Sequence, residues 1–133
     1  MRTSVKLMAL IFVAVLAAYG VFAGSAPQKG TRGEKLYMTY CASCHGTTGK
    51  GDGPVAAALR KAPSDLTMIP KENGKFPAVR VKRFISGDDA IEAHGTRDMP
   101  VWGNYFKVKH DNATATANVY SLMRYVESIQ VAN

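Results

Sequence analysis

Cysteine is scarce in this chain, with Cys41 and Cys44 the two present in 133 residues. A zinc site would need two further ligands, and neither a second C-x-x-C nor an H-x-x-x-H supplies them. The glycine-rich stretch from Gly46 to Gly53 is not followed by G-K-[S/T], and no strand precedes it. That argues against a phosphate cradle. Alternation of apolar and polar residues is never sustained, so no long β-strand is expected. Internal repeats and low-complexity tracts are absent as well, and the length suits one domain. Acidic residues are the minority, 10 against 17 Lys+Arg, for a formal charge of +7. Such a surface suits nucleic acid, a membrane or acidic proteins, or it simply keeps a solvated face soluble.

The N-terminus reads as an export signal. Arg2 and Lys6 form a short positive region, and Leu7 to Ala23 is apolar and uncharged. Val21-Phe22-Ala23 offers small or modest residues where a signal peptidase cuts, so residues 1–23 are expected to be a signal peptide cleaved after Ala23. The alternative is an uncleaved anchor, since the apolar run is at the short end of what spans a bilayer. No cysteine follows it directly, which leaves no site for a lipid anchor on a mature N-terminal Cys. The part left after cleavage is still cationic. In an exported domain that charge points to acidic redox proteins or lipid, not nucleic acid. Residues 24–32 read as a Pro/Gly/Lys linker, and 33–133 as the folded domain.

Both cysteines fall in Cys41-Ala42-Ser43-Cys44-His45. Residues three apart share a helix face, so the two thiols can reach the edge of one flat macrocycle. Each can add to a vinyl group as a thioether, and the adjacent His45 imidazole then sits beneath the iron. A disulfide, a thioredoxin-like redox pair or half a zinc site would also use C-x-x-C. The redox pair wants a βαβ context, and neither it nor zinc accounts for His45.

Around this run the pattern is helical. From Gly33, Leu36, Tyr37, Tyr40 and Cys41 recur at three and four, with Gly46 as the stop. Glycines 46–53 let backbone pass close to something flat and bulky. Pro54 opens a short Ala-rich helix to Lys61, and Met68 to Ala78 is a loop between prolines. Val79 to Ser86 forms a helix with Val81, Phe84 and Ile85 inward and Gly87 as its end; Asp88 to His94 adds a turn. Gly95 to Gly103 is a loop with Met99 at its centre, held extended by Pro100 and followed by Trp102. After N-cap choices within 112–116, Ala117 to Val131 is the strongest amphipathic helix, through Val119, Leu122, Tyr125, Val126 and Ile129.

From Gly33 to Ile129 the chain resembles an exported bacterial class I monohaem cytochrome c. The likeness rests on Gly33-Glu-Lys-Leu-Tyr37 leading to Cys41-Ala-Ser-Cys44-His45-Gly46, on Gly51-Asp-Gly-Pro54 and Pro63-Ser-Asp-Leu66-Thr67, and on Met99-Pro100-Val-Trp102-Gly103. It implies an all-α fold of about four to five short helices around one covalent haem c and its iron. The N-terminal helix would cross the C-terminal one, with Gly33 allowing close approach. It implies thioethers at Cys41 and Cys44, His45 and Met99 as axial ligands, and the Pro63 carbonyl orienting His45. The activity implied is electron transfer, without catalysis, in the periplasm.

The sixth ligand has other candidates. Met38 and Met123 lie on the first and last helices and read as core filler. Met68 sits in a loop, His94 is five residues before Met99, and His110 is in a polar loop. With two strong axial ligands the iron has no open position, and a thioether favours the reduced state. Lys50, Lys71, Lys75, Lys82, Arg83, Arg97, Lys107 and Lys109 are expected to ring the haem edge and steer an acidic partner. Two alternatives remain: a fixed subunit of a membrane oxidase or dehydrogenase, and a haem sensor or enzyme with an open iron site.

Overall fold

A computed structural model describes residues 30–88 and 99–131. The leader 1–23, most of the 24–32 linker, the helical turn expected near 88–94, and His94 and Arg97 lie outside the described residues. Helix α1 spans Arg32–Tyr40 and α2 spans Ala42–His45. A 3₁₀ turn at Ala56–Ala58 leads into a long loop. Helices α3 (Ala78–Ser86), α4 (Trp102–Lys109) and α5 (Asn112–Ser128) complete the order. Among the described residues the one β feature is an isolated bridge, Glu72 with Lys75, at a tight turn through Asn73 and Gly74. The fold is all-α, as the resemblance implied.

Helix α1 starts where its chemistry says it should. The Thr31 hydroxyl accepts from the Glu34 amide at 3.1 Å, and the Glu34 carboxylate accepts from the Gly30 amide. The Glu34 amide, which the helix leaves unsatisfied, is thereby capped, and the residue just before the cap is tied down as well. Helix α5 is capped by Asp111, which accepts from the Thr114 amide at 2.9 Å and from its hydroxyl at 2.7 Å. It therefore begins five residues earlier than expected from the apolar stripe alone. Helix α3 ends at Gly87, whose φ of 80° is the left-handed geometry that glycine adopts freely.

The core lies where α1, α3 and α4 meet α5. Tyr37, Phe106 and Leu122 are fully buried at its centre, with Val81, Ile85, Val119, Met123 and Val126 around them. Burying a side chain of the size of Leu122 contributes about 1.5–3 kcal/mol. The first and last helices cross at Gly33. A Cβ there would lie 2.9 Å from the Tyr125 Cβ and closer still to the Ser121 carbonyl. Beside the crossing, the Arg32 guanidinium donates from Nε and Nη2 to the buried Asn118 Oδ1, at 2.9 and 2.6 Å. Tyr37 and Tyr125 pack at 4.9 Å between ring centroids.

Several sequence expectations change. The Ala-rich helix at 54–61 is only the 3₁₀ turn, because its residues are largely exposed and so short a segment needs packing to stay helical. Helix α4 replaces part of what read as loop: Phe106 is buried, and Trp102 and Tyr105 pack round Tyr40. Phe84 points outward at 45 % exposure, since Val81 and Ile85 already fill the inner face of α3. Met38 is 41 % exposed and is not core filler; Met123 is.

Candidate haem-attachment site

The helix that carries the first cysteine breaks at it. Cys41 has φ −117° and ψ −35°, so α1 ends at Tyr40 and α2 restarts at Ala42. The break costs little hydrogen bonding. The Cys41 amide still donates to Tyr37 at 2.8 Å, and the His45 amide to Cys41 at 2.9 Å. The run 41–45 is thus a near-continuous helical turn that keeps Cys41, Cys44 and His45 together. Both thiols are partly buried and unpaired, with no disulfide between them.

The thiol of Cys41 is pushed up to about 12, first by burial and then by the neighbouring Cys44. Redox-active C-x-x-C pairs work the other way, with a depressed thiol that gives a reactive thiolate. Among the described residues, no three His, Cys, Asp or Glu side chains gather in a set that would hold a bare metal ion. The thioredoxin-like and zinc readings both lose ground.

His45 is held by one bond with a clear meaning. Its Nδ1 lies 3.1 Å from the Ser64 carbonyl oxygen. A carbonyl only accepts, so Nδ1 carries the proton and Nε2 keeps its lone pair. That is the tautomer an axial imidazole requires, with its second nitrogen hydrogen-bonded to backbone. Burial lowers the His45 pKa, and the Ser64 bond partly opposes the shift. The residue is Ser64 and not Pro63, as the resemblance had implied. The Pro63 carbonyl instead faces Gly51, where a Cβ would collide with it.

The loop after His45 is folded tightly back. Gly46, Gly49 and Gly51 have φ of 77°, 84° and 81°. Gly53 lies against the Ser43 and Cys44 backbone, and its amide donates to Cys44 at 3.0 Å. The buried Tyr37 hydroxyl donates to the Gly46 carbonyl at 2.7 Å, which fixes the exit of α2. Gly51 and Gly53 thus let backbone approach backbone, whereas Gly46 and Gly49 make room for the Asp52 and Ile129 side chains.

Met99 lies on the segment entering α4 and is 37 % exposed. The structure brings Cys41, Cys44 and His45 into one turn; Met99 comes from a separate stretch. The two are related through aromatic packing, since Tyr40, next to Cys41, stacks on Trp102 at 5.3 Å. Of the other candidate ligands, Met68 is 56 % exposed and His110 caps the end of α4. Val55, whose amide donates to Ser43, is also exposed at 41 %. Two unpaired thiols on one turn and an imidazole of fixed tautomer fit a covalent haem.

These features define a c-type cytochrome domain. The sequence profile of the family described as cytochrome c oxidase, cbb3-type, subunit III matches residues 28–118, and the chain belongs to that family. Neither curated proteins nor solved structures give a match. The family carries haem c with iron and works in haem-based electron transfer with redox protein partners. No described helix is long and apolar enough to cross a membrane.

Sequence reasoning missed Ser64 and the end of the chain after α5. The first differs by one residue from the expected Pro63. The second had read as the last turn of a helix running to Val131, but α5 ends at Ser128 and Ile129 caps it.

Proposed function

We propose that this protein carries one electron at a time on a single haem c, bound through Cys41 and Cys44 and ligated by His45 and Met99. The observation that carries the proposal is the Nδ1 bond from His45 to the Ser64 carbonyl, which leaves Nε2 free for iron beside two unpaired thiols. The haem supplies a one-electron couple when bound. Ser64 holds the imidazole in the ligating tautomer, and Tyr37 fixes the backbone behind it. Met99 supplies a thioether that favours the reduced metal. Exposed Val55 and Met68, on the loop after the attachment run, would help cover the ring and disfavour the added charge of the oxidised state. With His45 and Met99 both holding the iron, no position would remain for a substrate, and the protein would act as a carrier and not an enzyme.

Export to the periplasm through residues 1–23 places this carrier among membrane-bound or soluble redox partners with acidic docking faces. Lys50, Lys71, Lys75 and Lys82 are among the basic residues that would steer such a partner. The experiment is Met99→Ala in haem-loaded protein. The variant should keep its haem, lose the weak far-red ferric band of sulfur-ligated iron, bind carbon monoxide quickly when reduced, and fall in potential. Unchanged potential and ligand binding would mean that Met99 is not the ligand.

A second reading is supported by the family's description, which is that of an oxidase subunit. In it the domain is a fixed relay within a membrane complex, and the apolar leader stays as an anchor. Mass spectrometry of the mature N-terminus separates the two: a chain starting at Gly24 supports a free carrier, and a retained leader the anchored subunit.

A further inference from the structure

The segment that orients His45 is itself held from the other end of the chain. Beyond Ser64, the Asp65 carboxylate accepts from the Thr67 amide at 2.8 Å and from its hydroxyl at 2.6 Å. The Leu66 amide donates to Gly49 at 2.6 Å, which pins the segment to the glycine loop. The residues just past α5 then close on it. The Gln130 Nε2 donates to the Leu66 carbonyl at 2.6 Å and to the Val126 carbonyl at 2.7 Å. Its Oε1 accepts from the Ile69 amide at 3.1 Å. The Val131 amide donates to the Thr67 carbonyl at 3.0 Å.

We propose that Gln130 is a positioning residue for the haem ligand: its amide clamps 66–69 to the end of α5 and so holds the Ser64 carbonyl on His45 Nδ1. The proposal rests on the reading of His45 as the iron ligand. One side chain spends three of its four hydrogen-bonding sites here, all on backbone, and two of them reach the segment that begins two residues past Ser64. Asp65 and Thr67 make that segment stiff internally, so fixing Leu66 and Ile69 fixes Ser64. Among the described residues, no other side-chain hydrogen bond joins the end of α5 to 66–69. The C-terminal tail thereby sets how strongly the imidazole is polarised. A firm Nδ1–H bond to the carbonyl raises ligand basicity and favours oxidised iron.

The test uses haem-loaded protein carrying Gln130→Ala, Gln130→Glu or Asp111→Ala. Asp111→Ala removes the cap at the far end of α5 and is the control for a general loss of stability. The readouts are exchange of the His45 Nδ1 proton with solvent, followed by NMR, and the midpoint potential. Gln130→Ala should speed exchange roughly tenfold, the loss expected for one hydrogen bond, and raise the potential. Gln130→Glu keeps an acceptor for Ile69 but loses the donor to Leu66, and should move both readouts in the same direction. Asp111→Ala should move neither. If the Gln130 variants lose stability but leave proton and potential unmoved, or if Asp111→Ala shifts them equally, the clamp is wrong. If wild-type His45 signals carry no iron shift, the ligand reading has failed, and the clamp with it.

Discussion

At the crossing of α1 and α5, side chains do the holding. Tyr37, Leu122 and Val126 are buried, Asn118 satisfies Arg32, and Gly33 is small because a neighbouring helix needs the space. Between Gly46 and Ile69, backbone does it. Carbonyls of Gly46, Gly49, Ser64 and Leu66 accept from Tyr37, Leu66, His45 and Gln130, with no buried apolar side chain among 46–69. The first region is a core that any packed helix pair would recognise. The second is a set of directed hydrogen bonds, which is what aiming one imidazole requires. Packing supplies stability with loose angular control; hydrogen bonds supply direction at about 1 kcal/mol each.

The comparison can be broken at several points. The largest effect is expected from Cys44→Ala, which leaves at most one thioether. Haem per protein after maturation should collapse while the crossing still folds, as read by absorbance and helical circular dichroism. Normal haem content would remove the attachment site from that region. Next is Leu122→Ala at the crossing, expected to cost about 2–5 kcal/mol in urea denaturation and to leave the potential nearly unchanged. A large potential shift would show that the regions are not separable. Gly33→Val should cost about 1–3 kcal/mol through overpacking against Ser121 and Tyr125, again with little change in the haem spectrum.

The smallest effect is acid sensitivity. Asp65 and Asp111 are both held below the ordinary value of 3.8, first by their bonds from the Thr67 and Thr114 hydroxyls. A depressed carboxyl contributes stability above its unfolded value and loses it as pH falls through the folded one. Stability should therefore drop below about pH 4, and Asp111→Asn should flatten that limb. The same variant leaves the site loop intact, whereas Asp65→Asn should loosen it. A limb unchanged in Asp111→Asn would place the acid sensitivity elsewhere.

How much of this could be read beforehand divides along the same line. The crossing was legible through the family resemblance, which implied it with Gly33 at the close approach, and the stripe of Val119, Leu122 and Val126 marked the face of one of its helices. The run 41–45 was legible because its chemistry needs those residue types at that spacing. The orienting carbonyl came out one residue away, at Ser64, because a backbone oxygen's direction depends on dihedral angles that no side chain announces. Gln130 was illegible for a related reason: it read as part of the last helix, and its role depends on backbone partners that only the fold brings beside it. Helix α4 was hidden because its N-cap, Val101, makes no side-chain bond, and its burial depends on Tyr40 far away in sequence.

The most direct test is peptide mass mapping of protein produced with a working haem-maturation system. The expected result is one haem on the peptide bearing Cys41 and Cys44, through two thioethers, with no free thiol remaining. Colourless protein, or a peptide in which those two cysteines are joined to each other, would contradict it.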